Sequence, residues 1–301
     1  MTAAILDPRA AWLARRRELV TASDAAAILG EDQRRGPLAV YAEKLGAETE
    51  ETLPMRRGKR MEAVIAAEYE EQTGRAVKAP GEFTIFVHPD VPWLGATPDR
   101  LVSDEALWLP LEIKLAIGSG RDWRDEPPIS YLFQLQVQIA CMVVPRGSLA
   151  GLIGPGPLAV SDHALDPELL ALMLPRLEHF RWHVAKQQPT PCNAEGCVMQ
   201  ADAKPGTSAA VRRLWRTVND QTVPLGDHGI VLAERLAQAK AEGWRAKKQA
   251  DALENEMRAL LGDAGLGALP DGRFVRRLAR KRGAYQAAAS EWVQLDVWSP
   301  K

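Results

Sequence analysis

The sequence predicts a mixed α/β fold of the α+β type: a small mixed sheet flanked by helices, followed by a mainly helical extension. Two observations carry this prediction. Residues 1–191 contain helix-forming segments interleaved with short β-prone segments that Gly, Pro and Asp bound. From about His228, apolar residues recur at spacings of four and three, as in a helix with a heptad seam. We therefore divide the chain into a domain over 1–191, a connector over 192–224 and an extension over 225–301.

The first helices are predicted from the residues at their ends. Residues 8–29 are helix-forming except at Thr21–Asp24, a break typical of one helix ending and the next being capped. Two further helices are predicted over 37–46 and 58–73, and each meets a glycine as its stop signal.

The middle of the first domain is rich in β-prone segments bounded by turn residues. Strands are predicted over 82–87, 93–97, 100–102 and 106–115, and a strand pair over 149–153 and 158–160. An apolar helix over 131–144 separates the two groups, and a helix over 166–186 closes the domain.

The extension combines a heptad seam with a basic segment. Apolar or small residues from Leu232 to Leu260 follow the a and d positions of about four heptads, which need a partner helix in this chain or in a neighbour. Residues 273–282 contain six Lys or Arg and no acidic residue. Two interpretations are equally favoured. In the first, the helix is an antiparallel packing or oligomer contact, and the basic segment touches DNA or a partner. In the second, the helix packs within the chain, and the charges protect the exposed edge of a hairpin from pairing with other strands.

The composition favours a soluble, cytosolic protein. No apolar stretch approaches the roughly 20 residues of a spanning helix and no export signal is present, so no membrane association is expected. The 38 Lys and Arg residues nearly balance 39 Asp and Glu residues, and a net charge of −1 argues against a nonspecific basic nucleic-acid binder. Charge segregated along the chain remains compatible with a nucleic-acid enzyme, which needs both an acidic metal centre and a basic track.

The three cysteines do not form a recognisable framework. Cys192 and Cys197, with four residues between them, are spaced like half of a metal site, but no second Cys or His pair is recognised with matching spacing. Structural zinc is therefore disfavoured. Cys141 lies in an apolar helix and is expected in the core.

Two carboxylates, Glu62 and Asp99, are candidate site residues because of their positions. Glu62 lies on the apolar stripe of its helix, where a buried carboxylate is costly unless something binds it. The alternative is a first-turn Glu that leans out to solvent and is favoured by the helix dipole. Asp99 follows Pro98 at the end of a β-prone run, where turn formation is the competing interpretation.

A third group pairs an acid with an amine. On a strand, Glu112 and Lys114 point to one face while Ile113 points to the other. An exposed ion pair is the alternative interpretation. Gln134 lies with Tyr131 and Gln138 on a polar stripe of an otherwise apolar helix, so this stripe faces a site, bridges to another element or faces solvent.

Joined in this order, these elements resemble the YqaJ-type viral recombinase family, that of phage lambda exonuclease, within the PD-(D/E)xK nuclease superfamily. The resemblance covers roughly residues 10–191 and rests on motifs in a fixed order. These motifs are Arg16–Ser23, which ends in Val20–Ser23, and then Gly58–Glu62, Gly95–Asp99, Leu111–Lys114 and Tyr131–Gln136. Leu115 and Ala116 replace the turn with proline that commonly follows the motif lysine, which leaves the path of the next loop undefined.

The resemblance implies a restriction-endonuclease-like core and a cofactor of Mg²⁺, for which Mn²⁺ can substitute, with two ions expected. Asp99, Glu112 and the backbone carbonyl of Ile113 are the implied metal ligands, and Glu62 completes the second position. All four offer oxygen, the ligand atom that Mg²⁺ prefers.

The resemblance also assigns roles to the remaining polar residues. Lys114 orients and polarises the attacking water, and Gln134 positions the reacting groups. Arg16 receives a 5′-phosphate with Ser23 as its hydroxyl partner, since a guanidinium suits a terminal phosphate. The DNA-binding set is completed by Lys59, Arg60 and Tyr131.

The activity expected from the resemblance is a Mg²⁺-dependent 5′→3′ double-strand DNA exonuclease of phage or prophage type. It resects DNA ends to 3′ single-stranded tails for homologous recombination in the bacterial cytoplasm. The implied partners are a single-strand annealing protein and further copies of the chain in a ring-like homo-oligomer. The alternatives are an endonuclease or other end-processing nuclease of the same superfamily, and a non-catalytic DNA-binding or assembly module.

Overall fold

The computed structural model describes residues 7–47, 51–116, 123, 126–153, 156–192, 194–199, 202–215, 222, 224–261, 266–268, 270 and 273–276. They belong to two compact units, Met1–Arg216 and Thr217–Lys301, which are described separately. Among the described residues, no helix is both long and apolar enough to cross a membrane. Most of the predicted basic segment, residues 277–282, lies outside the described residues.

The first unit contains seven of the described helices and eight of the described strands. In chain order they are α1 (Pro8–Glu18), β1 (Val20–Thr21), α2 (Ala22–Ile28), α3 (Pro37–Lys44), α4 (Leu53–Thr73), β2 (Val77–Lys78), β3 (Phe86–Val87), β4 (Leu94–Ala96), β5 (Arg100–Asp104), β6 (Leu107–Leu115), α5 (Ile129–Met142), β7 (Arg146–Leu152), β8 (Ala159–Ala164), α6 (Pro167–Ala185) and α7 (Pro205–Leu214). The mixed α/β class is therefore confirmed.

The main sheet has five strands in the order β2-β5-β6-β7-β8. Only β6 and β7 run parallel, and α5 lies between them in the chain, as a parallel pair requires a crossover. Alternate residues of β6 point to opposite faces of the sheet. Leu111 and Ile113 pack in one cluster with Ile65 and Tyr69 of α4. Glu112 and Lys114 consequently face the side that α5 covers.

A smaller sheet brings the N-terminal segment to the same region. Its order is β1-β4-β3, with β1 parallel to β4 and Val20 paired with Leu94. The core beneath it joins α2, α5 and α6, and includes Ile28, Val137 and Phe180. Residues before α2 are thereby held beside the strand that leads to Asp99.

Several predicted boundaries shift for local reasons. The helix predicted over 58–73 begins earlier, at Leu53, because Thr52 caps it by accepting a hydrogen bond from the Met55 N–H at 3.4 Å. It ends as predicted at Gly74, whose φ of 70° is left-handed. The strand predicted over 82–87 is reduced to β3, and Phe83 takes a φ of 59° that is incompatible with a regular strand.

The predicted connector over 192–224 differs from the structure in its first part. Cys197, Val198 and Met199 are buried in the core beside α2 and α6. The helix α7 packs against α3, and the Gly36 N–H donates to the Thr207 hydroxyl at 2.9 Å. The first compact unit therefore continues beyond residue 191, to Arg216.

The second unit is dominated by one long helix, α8 (Gly226–Leu261), of 36 residues. The apolar positions of its heptad seam, such as Leu232, Leu253 and Leu260, are exposed. Two antiparallel strands, β9 (Leu266–Ala268) and β10 (Phe274–Arg276), follow it in the chain. The partner of the seam stays a prediction.

Candidate active site

Asp99 is held at the end of the main sheet, between β4 and β5. Its Oδ2 accepts a hydrogen bond from the Ile113 N–H at 2.9 Å. Arg100 is paired with Leu111, so Ile113 lies beyond the last paired residue of β5 and its N–H is open to a side chain. Asp99 thus takes the place that a continued strand would fill, and this brings its carboxylate beside β6.

Glu112 and Lys114 project together toward α5, as the alternation of β6 predicts. Glu112 is only 1% exposed, and its Oε1 accepts from the Lys114 ammonium. Lys114 also donates to the Gln134 Oε1 at 2.9 Å. The buried position excludes the simple surface pair that the spacing alone also allows. The polar stripe of α5 likewise faces this cluster and not bulk solvent.

Gln138 is a further member of the cluster that the sequence motifs did not include. It is completely buried, and its Nε2 donates to the Glu112 Oε2. Its Oε1 has no hydrogen-bond partner among the described residues. Its position four residues after Gln134 predicts that it lies on the same polar stripe, but assigns it no role in the site.

Glu62 approaches the cluster from α4. Its Oε2 lies 3.7 Å from Nη1 of Arg100, a second residue that the sequence motifs did not include. Burial raises the pKa of Glu62, Arg100 opposes the rise, and the negative charge of Glu112 adds to it. Glu62 is therefore partly withdrawn from solvent and within the field of the other carboxylate, as its place on the apolar stripe predicts.

We call Glu62, Asp99, Glu112 and Lys114 the acidic centre, in which burial and repulsion between carboxylates raise the pKa of Glu62 and of Asp99. Burial and the charge of Glu112 raise the pKa of Asp99 well above its usual value, against the opposing effects of Lys114 and the Ile113 N–H. Burial disfavours the charge on Lys114, but Glu112 and Asp99 outweigh it and its pKa is raised. Three carboxylates thus converge, of which Glu112 forms an ion pair with Lys114 and Glu62 with Arg100. Their oxygens fit a hard divalent cation, which would relieve the repulsion between them.

Arg16 lies on α1 and contacts the segment that leads to Asp99. It donates to the Thr97 hydroxyl and, at 3.3 Å, to the Ser23 hydroxyl. The guanidinium also lies 4.7 Å from the centroid of the Trp12 ring. The structure therefore brings together the predicted Arg16–Ser23 pair and links it to the acidic centre through the β4–β5 connection.

A second group of charged side chains, buried or half-buried, packs beside the segment that carries Ser23. The Asp24 carboxylate accepts from Lys44 at 2.7 Å and from the Thr21 N–H at 2.9 Å. Arg35 donates to the Ser23 carbonyl at 2.6 Å and pairs with Glu43. Burial would raise the pKa of Asp24, but Lys44 and Arg35 outweigh it and lower that pKa to about 2. We call Asp24, Arg35, Glu43 and Lys44 the paired cluster.

The remaining predicted DNA contacts lie in two places. Tyr131 is at the acidic centre, with Lys114 Nζ 5.0 Å from its ring centroid and Trp123 packed on it at 5.0 Å. Lys59 and Arg60 lie on α4, in the turn before Glu62, and both are exposed. Both are therefore accessible to a partner on the helix that carries Glu62.

Comparisons with known proteins agree with the expected resemblance. Residues 11–145 match the family model of the YqaJ-like viral recombinase domain, which confirms the resemblance to that family. Over 266 residues the chain is 25% identical to the uncharacterized protein YqaJ of Bacillus subtilis strain 168, covering 85% of this chain and 79% of that protein.

Solved structures with similarity to the chain include two exonucleases. One is an alkaline exonuclease from Laribacter hongkongensis, at 23% identity and a TM-score of 0.46, covering 59% of this chain and 93% of that one. The other is a phage-related exonuclease from Haemophilus somnus 129PT, at 13% identity and a TM-score of 0.46, covering 56% of this chain and 94% of that one.

Proposed function

We propose that this chain is a nuclease of the phage recombinase type, and specifically a Mg²⁺-dependent 5′→3′ exonuclease of double-stranded DNA ends. The observation that carries the proposal is the convergence of Asp99, Glu112 and Lys114 at one end of the main sheet. The match of residues 11–145 to the YqaJ-like viral recombinase domain supports the nuclease class. The metal, the polarity and the 3′-tailed product are the finer parts of the proposal.

The metal ligands of the proposal are the carboxylates of Asp99 and Glu112 and the backbone carbonyl of Ile113, with Glu62 at a second position. The raised pKa of Asp99 supports this assignment, because a group of buried like charges is stabilised when a cation joins it. Two Mg²⁺ ions, or Mn²⁺ in their place, would activate the water and neutralise charge on the phosphate.

Lys114 acts in this proposal as a fixed cation. Glu112 and Asp99 raise its pKa, so the amine stays protonated at neutral pH. A protonated amine cannot take a proton from water, but it can donate hydrogen bonds to the attacking water and to the developing phosphoryl charge. Gln134 holds it by accepting one of its hydrogen bonds at 2.9 Å.

Gln138 is a positioning residue. Its amide donates to one oxygen of Glu112, while Lys114 donates to the other. The Glu112 carboxylate is thereby held in one orientation, which a preorganised site needs.

Recognition of the DNA end is assigned to Arg16 and Ser23. The guanidinium already lies beside two hydroxyls, those of Ser23 and Thr97, and a terminal phosphate would accept hydrogen bonds from all three. Lys59 and Arg60 would contact backbone phosphates and Tyr131 would stack near the scissile nucleotide. The proposed partners are a single-strand annealing protein and further copies of this chain in a ring.

The experiment compares three substrates: linear duplex with 5′-phosphate ends, the same duplex with 5′-hydroxyl ends, and covalently closed circles. Each is incubated with Mg²⁺, with Mn²⁺ or with EDTA, and one strand of the linear duplexes carries a label at its 5′ or 3′ end. We expect digestion of linear duplex only, from the 5′ ends, faster with a 5′-phosphate, and none with EDTA.

A different result of this experiment would contradict each part of the proposal. Digestion of closed circles would show an endonuclease, and release of the 3′ label first would reverse the polarity. Equal rates on 5′-phosphate and 5′-hydroxyl ends would remove the proposed role of Arg16. No cleavage with either Mg²⁺ or Mn²⁺ would leave a DNA-binding or assembly module.

A further inference from the structure

Four metal-ligating side chains that the proposed nuclease does not use converge at the C-terminal end of α6. His179 and His183 are four residues apart and lie on one face of this helix. Cys192 and Cys197 lie in the segment that follows it. One ligand atom from each of the four residues falls within 4.8 Å of the others.

The individual distances fit a tetrahedral centre. His179 Nε2 lies 3.2 Å from Cys192 Sγ, Cys197 Sγ lies 3.3 Å from His183 Nε2, and the two sulfurs are 3.5 Å apart. Zinc is bound at about 2.3 Å by sulfur and about 2.0 Å by imidazole nitrogen, so neighbouring ligand atoms in a tetrahedron are roughly 3.3 to 3.8 Å apart. Three of the six ligand–ligand distances therefore already match those around one ion, and the other three are within 4.8 Å.

The surroundings of the ligands also suit a metal. His183 Nδ1 lies 2.8 Å from the Gln188 carbonyl, which can only accept a hydrogen bond, so the proton is on Nδ1 and the Nε2 lone pair faces the sulfurs. The Cys192 N–H points at Cys197 Sγ at 3.4 Å, the arrangement in which a thiolate accepts. His183 and Cys197 are buried, so bulk water would not compete for these two ligands.

A disulfide or simple core packing accounts for only part of this cluster. A disulfide needs an S–S bond of about 2.05 Å, whereas the sulfurs are 3.5 Å apart and each faces a histidine nitrogen. Core packing accounts for the burial of Cys197 and His183, but it does not require four polar ligand atoms to meet at one point.

We propose that His179, His183, Cys192 and Cys197 bind a structural Zn²⁺ ion. Four protein ligands leave no open position for a substrate or a catalytic water, so the role is structural. The ion would fasten the segment around Cys192 and Cys197 to α6, and with it the buried residues Val198 and Met199 that pack in the core beside α2.

This zinc site corrects the expectation from the sequence, in which Cys192 and Cys197 had no matching pair. The matching pair is His179-x₃-His183, with ordinary zinc-ligand spacing, on the preceding helix. It was overlooked because the histidines precede the cysteines and lie within a helix, where each histidine alone is expected to serve packing.

The experiment measures bound metal in the full chain, purified under reducing conditions without chelator. We expect about one zinc per chain by elemental mass spectrometry, since the site offers one set of four ligands. Cys192→Ser and His179→Ala should each lose the zinc. Cys141→Ser, which alters a buried cysteine outside the cluster, is the matched control and should keep it. Asp99→Asn should also keep it, which separates this ion from any metal at the acidic centre.

A second measurement does not depend on whether the variants fold. The zinc of the wild-type chain is replaced by Co²⁺, whose visible absorption reports tetrahedral coordination with thiolate ligands. We expect that spectrum, together with a lower thermal midpoint after zinc is removed that Zn²⁺ restores and Mg²⁺ does not.

Three results would overturn the proposal. These are a wild-type chain that contains no zinc and gives no thiolate–cobalt spectrum, zinc retained by both cluster variants, or a Cys192–Cys197 disulfide in the peptide map of the reduced-buffer preparation.

Discussion

The acidic centre and the paired cluster both bury carboxylates in the first unit, yet their charges are compensated differently. Asp99 faces Glu112 and Glu62, and its pKa is raised by burial and by Glu112. Asp24 lies against Lys44 and Arg35, which lower its pKa to about 2. Burial acts in the same direction on both aspartates, so the neighbouring charges decide the difference.

A buried carboxylate can therefore either stabilise the fold or wait for a cation to bind, depending on the charges around it. A carboxylate whose cations are supplied by the fold contributes to stability and holds its neighbours in place, here the segment that carries Ser23. A carboxylate that the fold leaves beside other carboxylates costs stability until a cation arrives. The isosteric change Asp→Asn removes the charge in either cluster and therefore tests this distinction directly.

The largest expected effect is on catalysis by the acidic centre. Asp99→Asn should lower the rate of DNA cleavage by about 10³-fold or more, since it removes a proposed metal ligand and leaves the shape of the site. DNA affinity, measured by fluorescence anisotropy, should stay near the wild-type value. The matched control is Asp24→Asn, assayed at a temperature where it is folded, which should retain cleavage. Equal activity losses in the two variants would contradict the distinction.

The next effect is on stability and concerns the paired cluster. Asp24→Asn should lower the free energy of unfolding by about 2 to 3 kcal/mol at neutral pH, because it leaves Lys44 and Arg35 without a buried partner charge. The folded pKa is about 2 and lies below the unfolded value of about 3.9, so this contribution is complete above pH 4 or so. It is lost as the pH falls toward 2.

Urea unfolding of the wild type and of Asp24→Asn over this pH range provides the measurement. The difference between them should shrink between about pH 4 and about pH 2, where Asp24 becomes protonated in the wild type. A difference that stays constant across this range would mean that the charge of Asp24 does not stabilise the fold.

The smallest effect has the opposite sign. In EDTA, Asp99→Asn should raise the thermal midpoint, since the raised pKa of Asp99 means that its charge opposes folding of the metal-free chain at neutral pH. The Asn side chain keeps a carbonyl oxygen that can accept from the Ile113 N–H. Mg²⁺ should stabilise the wild type and not the variant. A lower midpoint for Asp99→Asn in EDTA would place Asp99 with the structural carboxylates.

Much of the site was predictable from the sequence because it depends on local geometry. Strand alternation alone directs Glu112 and Lys114 to one face, and helical spacing directs Gln134 to a polar stripe. The contact of Gln138 with Glu112 and the position of Arg100 beside Glu62 were not predictable in this way. A buried glutamine and a strand arginine have many ordinary roles, and only the packing of α5 and α4 on the sheet brings them to the carboxylates.

The mixed fold class, the order of the motifs and the family that they resemble could be predicted, because periodicity, end signals and motif spacing are properties of the chain. Which charges are paired depends on the packing of distant segments. Asp24 and Asp99 both lie next to short strands, and the charges that set their pKa values come from residues more than ten positions away: Lys44 and Arg35 for Asp24, and Glu112 for Asp99. Contacts over long sequence separations set those environments, including the one between Asp99 and Ile113 and the meeting of two histidines with two cysteines after α6.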